Sequence, residues 1–176
     1  KTRQNRFATS SSTAQPQRSQ PISSSVGDGS RATGSDASEY EEARPPLVET
    51  VEIMRTHYPG RWPVRDAEVK LRDFDLLRAQ SPEDHQRVRD AGGELRNAFV
   101  VATQQGNVIE GLRRTRAAAD VFAETVGPEY SEYVIALTNI AGMLRSSGSL
   151  AEAVRAQRQS IGANERVFGD QHPNYA

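Results

Sequence analysis

The chain contains no cysteine. Disulfides, thiolate zinc sites and cysteine nucleophiles are therefore excluded. A reducing, cytoplasmic setting fits that absence. No apolar run approaches the roughly 18 residues that a membrane span needs. No excess of positive charge is present either: the formal net charge is −1. Nucleic-acid binding normally calls for a basic face, so it is not expected. Apolar residues make up only 36 % of the 176 positions, below the usual globular share. Nucleophile elbows, phosphate-binding loops and Ser-His-Asp patterns are missing too. His57, His85 and His172 lack the i, i+4 spacing of a helical metal pair. The chain is accordingly expected to be no enzyme and to hold no metal or cofactor.

The apolar deficit is concentrated at the start. Residues 1–45 are dominated by Ser, Thr, Gln and Gly, with Pro16 and Pro21 as breakers. Isolated Phe7, Ile22 and Val26 cannot form a core that offsets chain entropy, so this stretch is expected to be a disordered tail ended by Pro45-Pro46. Lys1, Arg3, Arg6 and Arg18 precede the first acid, Asp28, as in a transit peptide. A sustained apolar helical face is lacking, which favours a solvated tail. The chain begins at Lys1 and ends as His172-Pro173 opens a further helix, so it reads as a fragment.

What remains has helical spacing throughout, and no segment shows strand alternation. Apolar residues at helical intervals predict helices over about 47–57 and 64–80. Ser81 reads as an N-cap, with Pro82 at the first helical position and acids in the first turn. The helix that follows, to about Gln105, carries Gly92-Gly93 in its middle, where a kink or break is expected. Further helices follow over about 108–126, 130–147 and 149–168. Val134, Leu137, Ala141 and Leu144 form one apolar stripe. In the last helix the apolar set is Leu150, Ala153, Val154, Ile161 and Phe168.

These helices repeat. Gly106 and Gly148 are 42 positions apart, as are Gly127 and Gly169, Leu95 and Leu137, and Asn97 and Asn139. A fixed period of this size marks a helical repeat array. The segment from Ala136 to Ala153, with Gly148 at its turn, resembles a tetratricopeptide repeat. The 42-residue period and the tail Gly169-Asp-Gln-His-Pro173 resemble the longer variant of kinesin light chains. The resemblance implies an all-α, antiparallel helix-pair solenoid. Repeats are expected at about 82–127 and 128–169, with a further one opening at 170–176. Residues 46–81 are either a degenerate repeat or a capping helix pair. In the repeat beginning near 128, Leu137, Ala141, Leu144 and Ala153 fall on core positions of the family. The earlier copy places Phe99 where a small residue is usual and Gly111 where Ala is usual. A size exchange between those two is expected.

The family implies a function as well. First helices of such repeats line a concave groove that binds extended peptides. Asn97 and Asn139 fall on the groove-facing Asn of the family, and an amide can bridge a peptide's N–H and C=O whatever its sequence. Arg96 and Arg145 lie nearby and suit an acidic side chain or a C-terminal carboxylate. The expected role is a protein-interaction module of adaptor or scaffold type, with a protein or acidic peptide as partner and no contact with nucleic acid or membrane. A regulatory arm of a larger enzyme or NTPase is the alternative, and a structural spacer is a third. His172 reads as a residue of the turn between repeats, Trp62 as core of the first helix pair, and Arg113, Arg114 and Arg116 as a solvated basic face.

Overall fold

The computed structural model describes residues 35–170, 172 and 173, with side chains from Tyr40 onward. The expected tail up to residue 34 lies outside the described residues. Six helices follow in order: α1 Ser35–His57, α2 Trp62–Arg78, α3 Pro82–Thr103, α4 Val108–Thr125, α5 Ser131–Ser146 and α6 Leu150–Phe168. No strand occurs among the described residues. The fold is an all-α helix-pair solenoid. Helices α3 with α4, and α5 with α6, pair closely, and α4 packs on α5.

The 42-residue spacing has a backbone cause. Gly106 and Gly148 close the turns inside the two pairs at φ +71° and +80°, and Gly127 and Gly169 close the pairs at φ +104° and +83°. A side chain at such a positive φ is strained, so glycine is required where each helix must end sharply. Ser81 Oγ accepts from the Asp84 N–H at 3.1 Å, and Asn107 Oδ1 accepts from the Glu110 N–H at 3.2 Å. Those caps start α3 and α4 where the sequence implied.

The core runs through α3 to α6. Phe122, Val134, Ala136, Ala98, Ala163 and Val167 are fully enclosed. The stripe Val134, Leu137, Ala141 and Leu144 is buried as a unit. Three expectations need correction. Helix α3 runs unbroken through Gly92-Gly93; Val88, Ala91, Leu95 and Ala98 bury a continuous face that compensates the weak glycine propensity. Gly111 makes no exchange with Phe99. A Cβ at 111 would lie 2.6 Å from Ala102 Cβ and 2.8 Å from Ala98 O, so the close seam is α3 backbone against α4 backbone. Phe99 points away from it and is 50 % exposed. In α6, Leu150 and Val154 are 64 % and 53 % exposed, and Ile161 is also exposed.

The first helix pair is built differently. Residues 35–45, expected in the tail, are the beginning of α1, which continues through Pro45 and Pro46. An interior proline costs a helix about 3 kcal/mol. Docking offsets this: Arg44 grips Asp75 of α2 with two bonds of 2.7 and 2.9 Å, and Tyr40 lies 5.3 Å from Phe74 and 5.0 Å from His85 between ring centroids. Helix α2 then runs along the ends of the later helices. His85 of α3 contacts Leu77 O. Arg72 Nη2 donates to Glu129 O at 2.7 Å, and Arg65 Nη2 donates to Arg166 O at 3.1 Å near the end of α6. Trp62, expected in the core, is 46 % exposed and lies edge-on to His172, 5.7 Å between ring centroids. It sits at the rim because it begins α2, whose buried residues, Ala67 and Val69, come later in the helix.

Candidate functional site

Helix α5 has no side-chain cap of its own, since Tyr130 occupies the N-cap and makes no such bond. Asp73 supplies it from α2: its Oδ2 accepts the Ser131 N–H at 3.2 Å. The first N–H groups of a helix have no partner within it, so an acceptor brought by another element satisfies a real deficit. Burial raises the Asp73 carboxyl above its ordinary value, against the pull of Ser131 and Arg72. The α3/α5 face that the edge-lying α2 holds in place is where the candidate residues fall.

The four candidates separate. Asn139 and Arg145 line one cavity of about 220 Å³ between the C-terminal halves of α3 and α5. Asn139 is half-buried and Arg145 exposed. Phe99, Thr103, Thr138 and Met143 line the same cavity. An aromatic face, an amide and a guanidinium thus share one recess. Arg96 lines a different cavity of about 230 Å³ with Tyr40, His85, Tyr130 and Glu132. Burial raises Glu132 above the usual carboxylate range, with Arg96 pulling it back. Burial also pushes the Tyr130 phenol up to about 12, helped by Glu132 and Asp73. Asn97 is exposed and lines neither cavity.

Sequence reading took Phe99 for a core misfit and passed over it as a site residue. The signal that could have found it is its 42-residue counterpart, Ala141, which is buried. A large apolar residue at a position where the other repeat tolerates only a small one is either a steric fault or surface. The reading also passed over a polar cluster joining α5 to α6, in which Ser160 and Asn164 are buried and Thr138 is exposed. Thr138 Oγ1 and Ser160 Oγ lie 2.8 Å apart, and Asn164 Nδ2 donates to Ser160 O at 3.0 Å and to Thr138 Oγ1 at 3.3 Å.

The other constellations resolve into packing and charge pairing. Glu110 takes bonds from Arg113 and Arg114 at 2.7–2.8 Å, which hold its carboxyl down to about 2. Arg116 pairs with Glu152 at 3.4 Å. His172 is buried against Phe168, 4.8 Å between ring centroids, and near Asp66 at 4.0 Å. Burial lowers its pKa, which suits a residue packed in the turn. Among the described residues no group of three or more His, Cys, Asp or Glu is placed to hold a metal. No described helix is long and apolar enough to cross a membrane.

Neither the curated proteins nor the solved structures give a match to this chain. Residues 135–174 match the family model of the tetratricopeptide repeat. That span holds nearly all of α5, the Gly148 turn, α6, and the turn with His172. Residues 135–174 are therefore similar to a tetratricopeptide repeat, and repeats of this kind serve in general as protein-interaction scaffolds.

Proposed function

We propose that the face shared by α3 and α5 is the concave groove of a short tetratricopeptide array and binds an extended peptide of a partner protein. One observation carries the reading: Phe99, Asn139 and Arg145, from two successive first helices, converge on a single recess. An amide there can pair with a peptide's backbone, a guanidinium can take a carboxylate, and the exposed ring offers apolar contact. Arg96, in the second cavity, extends the positive character toward the start of α3, which favours an acidic peptide. Asn97 belongs at the exposed margin of this groove. The repeats are proposed to be of the longer, kinesin-light-chain-like type, supported by the positive-φ glycines 42 positions apart. Residues 46–81 are proposed to be a capping pair and not a third repeat, because α2 meets the other helices at their ends.

The role that follows is an adaptor or scaffold in a cytoplasmic setting, without catalysis in this segment. The test is capture of binding peptides from a random display library, followed by affinity measurement with Asn139→Ala, Phe99→Ala and Asn97→Ala. Asn139→Ala and Phe99→Ala should each weaken binding by about tenfold, as loss of one good contact does. Asn97→Ala should weaken it less. Peptides that bind equally well to the Asn139→Ala and Phe99→Ala proteins would place the contact on another face and end the groove reading.

A further inference from the structure

Helix α1 is two unlike halves joined at Pro45-Pro46. After the prolines, Val51 is buried against α2. Before them no described side chain is buried: Tyr40 and Arg44 are half-buried, and Glu41, Glu42 and Ala43 are exposed. Proline has no N–H, so the carbonyls of Glu41 and Glu42 receive no helical bond from positions 45 and 46. The backbone is thus weakest where the anchoring changes. The first half is held by the Tyr40 ring beside Phe74 and His85, by Arg44 on Asp75, and by Glu41 on Arg78. The Glu41–Arg78 pair is solvent-exposed and contributes little, which leaves the Tyr40 ring and the two-bonded Arg44–Asp75 pair as the anchors.

We propose that Ser35–Arg44 is a latch, hinged at Pro45-Pro46, that covers the buried Gly92 floor of the cavity beside Arg96 and uncovers it by swinging away as a unit. Tyr40 forms one wall of the cavity that also contains Arg96, Glu132, Tyr130 and Gly92. With the latch docked, Arg96 and Glu132 face this ring. Arg96 is exposed even so, whereas Gly92 is buried; with the latch undocked, the floor at Gly92 opens to solvent. The hinge gives the motion an axis, and the sparse anchoring gives it a small barrier. Contacts of α2 with Glu129, Ser131 and Arg166 do not involve the latch, so it opens without loosening the repeats. A partner that reaches into this cavity competes with Tyr40; one that uses only the Phe99–Asn139–Arg145 recess does not.

Two measurements on the whole chain test this, and neither uses a peptide, so failure of the latch is separable from failure of the groove reading. In native-state hydrogen exchange, amides of residues 39–44, which have partners within the helix, should share one rate at least about tenfold faster than those of 49–57, as a sub-global opening requires. Exchange of both halves together would overturn the latch. The second measurement places a thiol on the cavity floor. The chain has no cysteine, and a Cβ at Gly92 meets only the flexible Arg96 guanidinium, at 3.6 Å. In Gly92→Cys protein, the maleimide labelling rate should rise about tenfold with Tyr40→Ala and fall about tenfold with Pro45→Ala/Pro46→Ala, which restores the two missing donors. A rate indifferent to both changes would overturn it. Should Gly92→Cys fail to fold, the exchange comparison still decides.

Discussion

The two helix pairs α3–α4 and α5–α6 share a layout and differ in what joins them. Their turns fall 42 residues apart on positive-φ glycines. Inside the first pair the seam is backbone against backbone, with Gly111 pressed on Ala98 and Ala102. Inside the second, the counterparts are Ala153, Ile140 and Leu144, and the seam is partly polar, with Thr138, Ser160 and Asn164 bonded together. The counterpart of Asn164 in α4 is Phe122, which is fully enclosed. The repeat period therefore specifies where helices turn and leaves the filling of each seam free, provided volume and hydrogen bonds are matched.

The sharpest way to break the comparison is to give both seams the same residue. Gly111→Ala inserts a methyl 2.6 Å from Ala102 Cβ and 2.8 Å from Ala98 O. We expect a loss of about 3 kcal/mol, the upper range for overpacking, or roughly 6–12 °C in thermal midpoint. Adding Ala102→Gly should recover only part of this, because the carbonyl of Ala98 remains. Thermal unfolding of the single and double variants checks both statements. An unchanged midpoint for Gly111→Ala would mean that the pair is not packed this closely. The second seam should be less sensitive. Asn164→Ala leaves the buried Ser160 with one partner fewer, at a cost of about 1–3 kcal/mol. Replacing all three residues by apolar ones of similar size should cost less than that single change, since no polar atom is then stranded.

The turns and most helix boundaries were legible because local chemistry decides them: glycine where a helix ends, Ser81 as a cap, an unbroken apolar stripe in α5. The seam between α3 and α4 was not. Phe99 and Gly111 look like a size exchange until the helix rotation is known, and rotation depends on which sides of α3 have neighbours. The start of α1 was hidden for a similar reason. Pro45-Pro46 is a strong local stop signal, overridden by Tyr40 and Arg44 docking on residues 31 to 45 positions away. Of the candidate site, the resemblance drew attention to Asn139 and Arg145. That they share a recess with Phe99, and that Arg96 faces Tyr40 instead, depends on tertiary placement.

Helix α2 serves the two pairs unequally, and Asp73 is where this can be measured. Removing its cap on α5 with Asp73→Ala should cost about 1 kcal/mol and speed exchange of the first α5 amides without affecting those of α3. The pH dependence has a definite sign. Burial raises the carboxyl of Asp73 in the folded state above its ordinary 3.8. The folded protein then binds this proton more tightly than the unfolded chain does, so the contribution of Asp73 to stability falls as pH rises from the ordinary carboxylate range through the raised value. Glu132 shifts in the same direction, in part because of Asp73, so the difference between wild type and Asp73→Asn carries Asp73 together with its effect on Glu132, both of one sign. Asn keeps an acceptor for the Ser131 N–H and does not titrate. Its stability relative to wild type should therefore improve with rising pH across that window. A difference that stays flat would remove the buried carboxylate from the account.

The smallest effect is expected on the outer face of α6, and it sharpens the comparison most. Leu112 of α4 and Val154 of α6 are equivalent by the 42-residue period, as are Val108 and Leu150. On α4 both are half-buried beside α5, whereas on α6 both are exposed. Val154→Gln and Leu150→Gln should each change stability by less than about 0.5 kcal/mol, as surface substitutions do. Leu112→Gln should cost about 1–2 kcal/mol, because it strands an amide at a packed interface. Denaturant unfolding of the three variants at two protein concentrations makes the contrast. Were Val154→Gln to cost as much as Leu112→Gln, with a midpoint that depends on concentration, the face would be covered in solution by a second copy of the chain. Equal costs without concentration dependence would instead mean that α4 and α5 are no more tightly packed than α6 is with water, which the burial of Thr115 beside Met143 argues against.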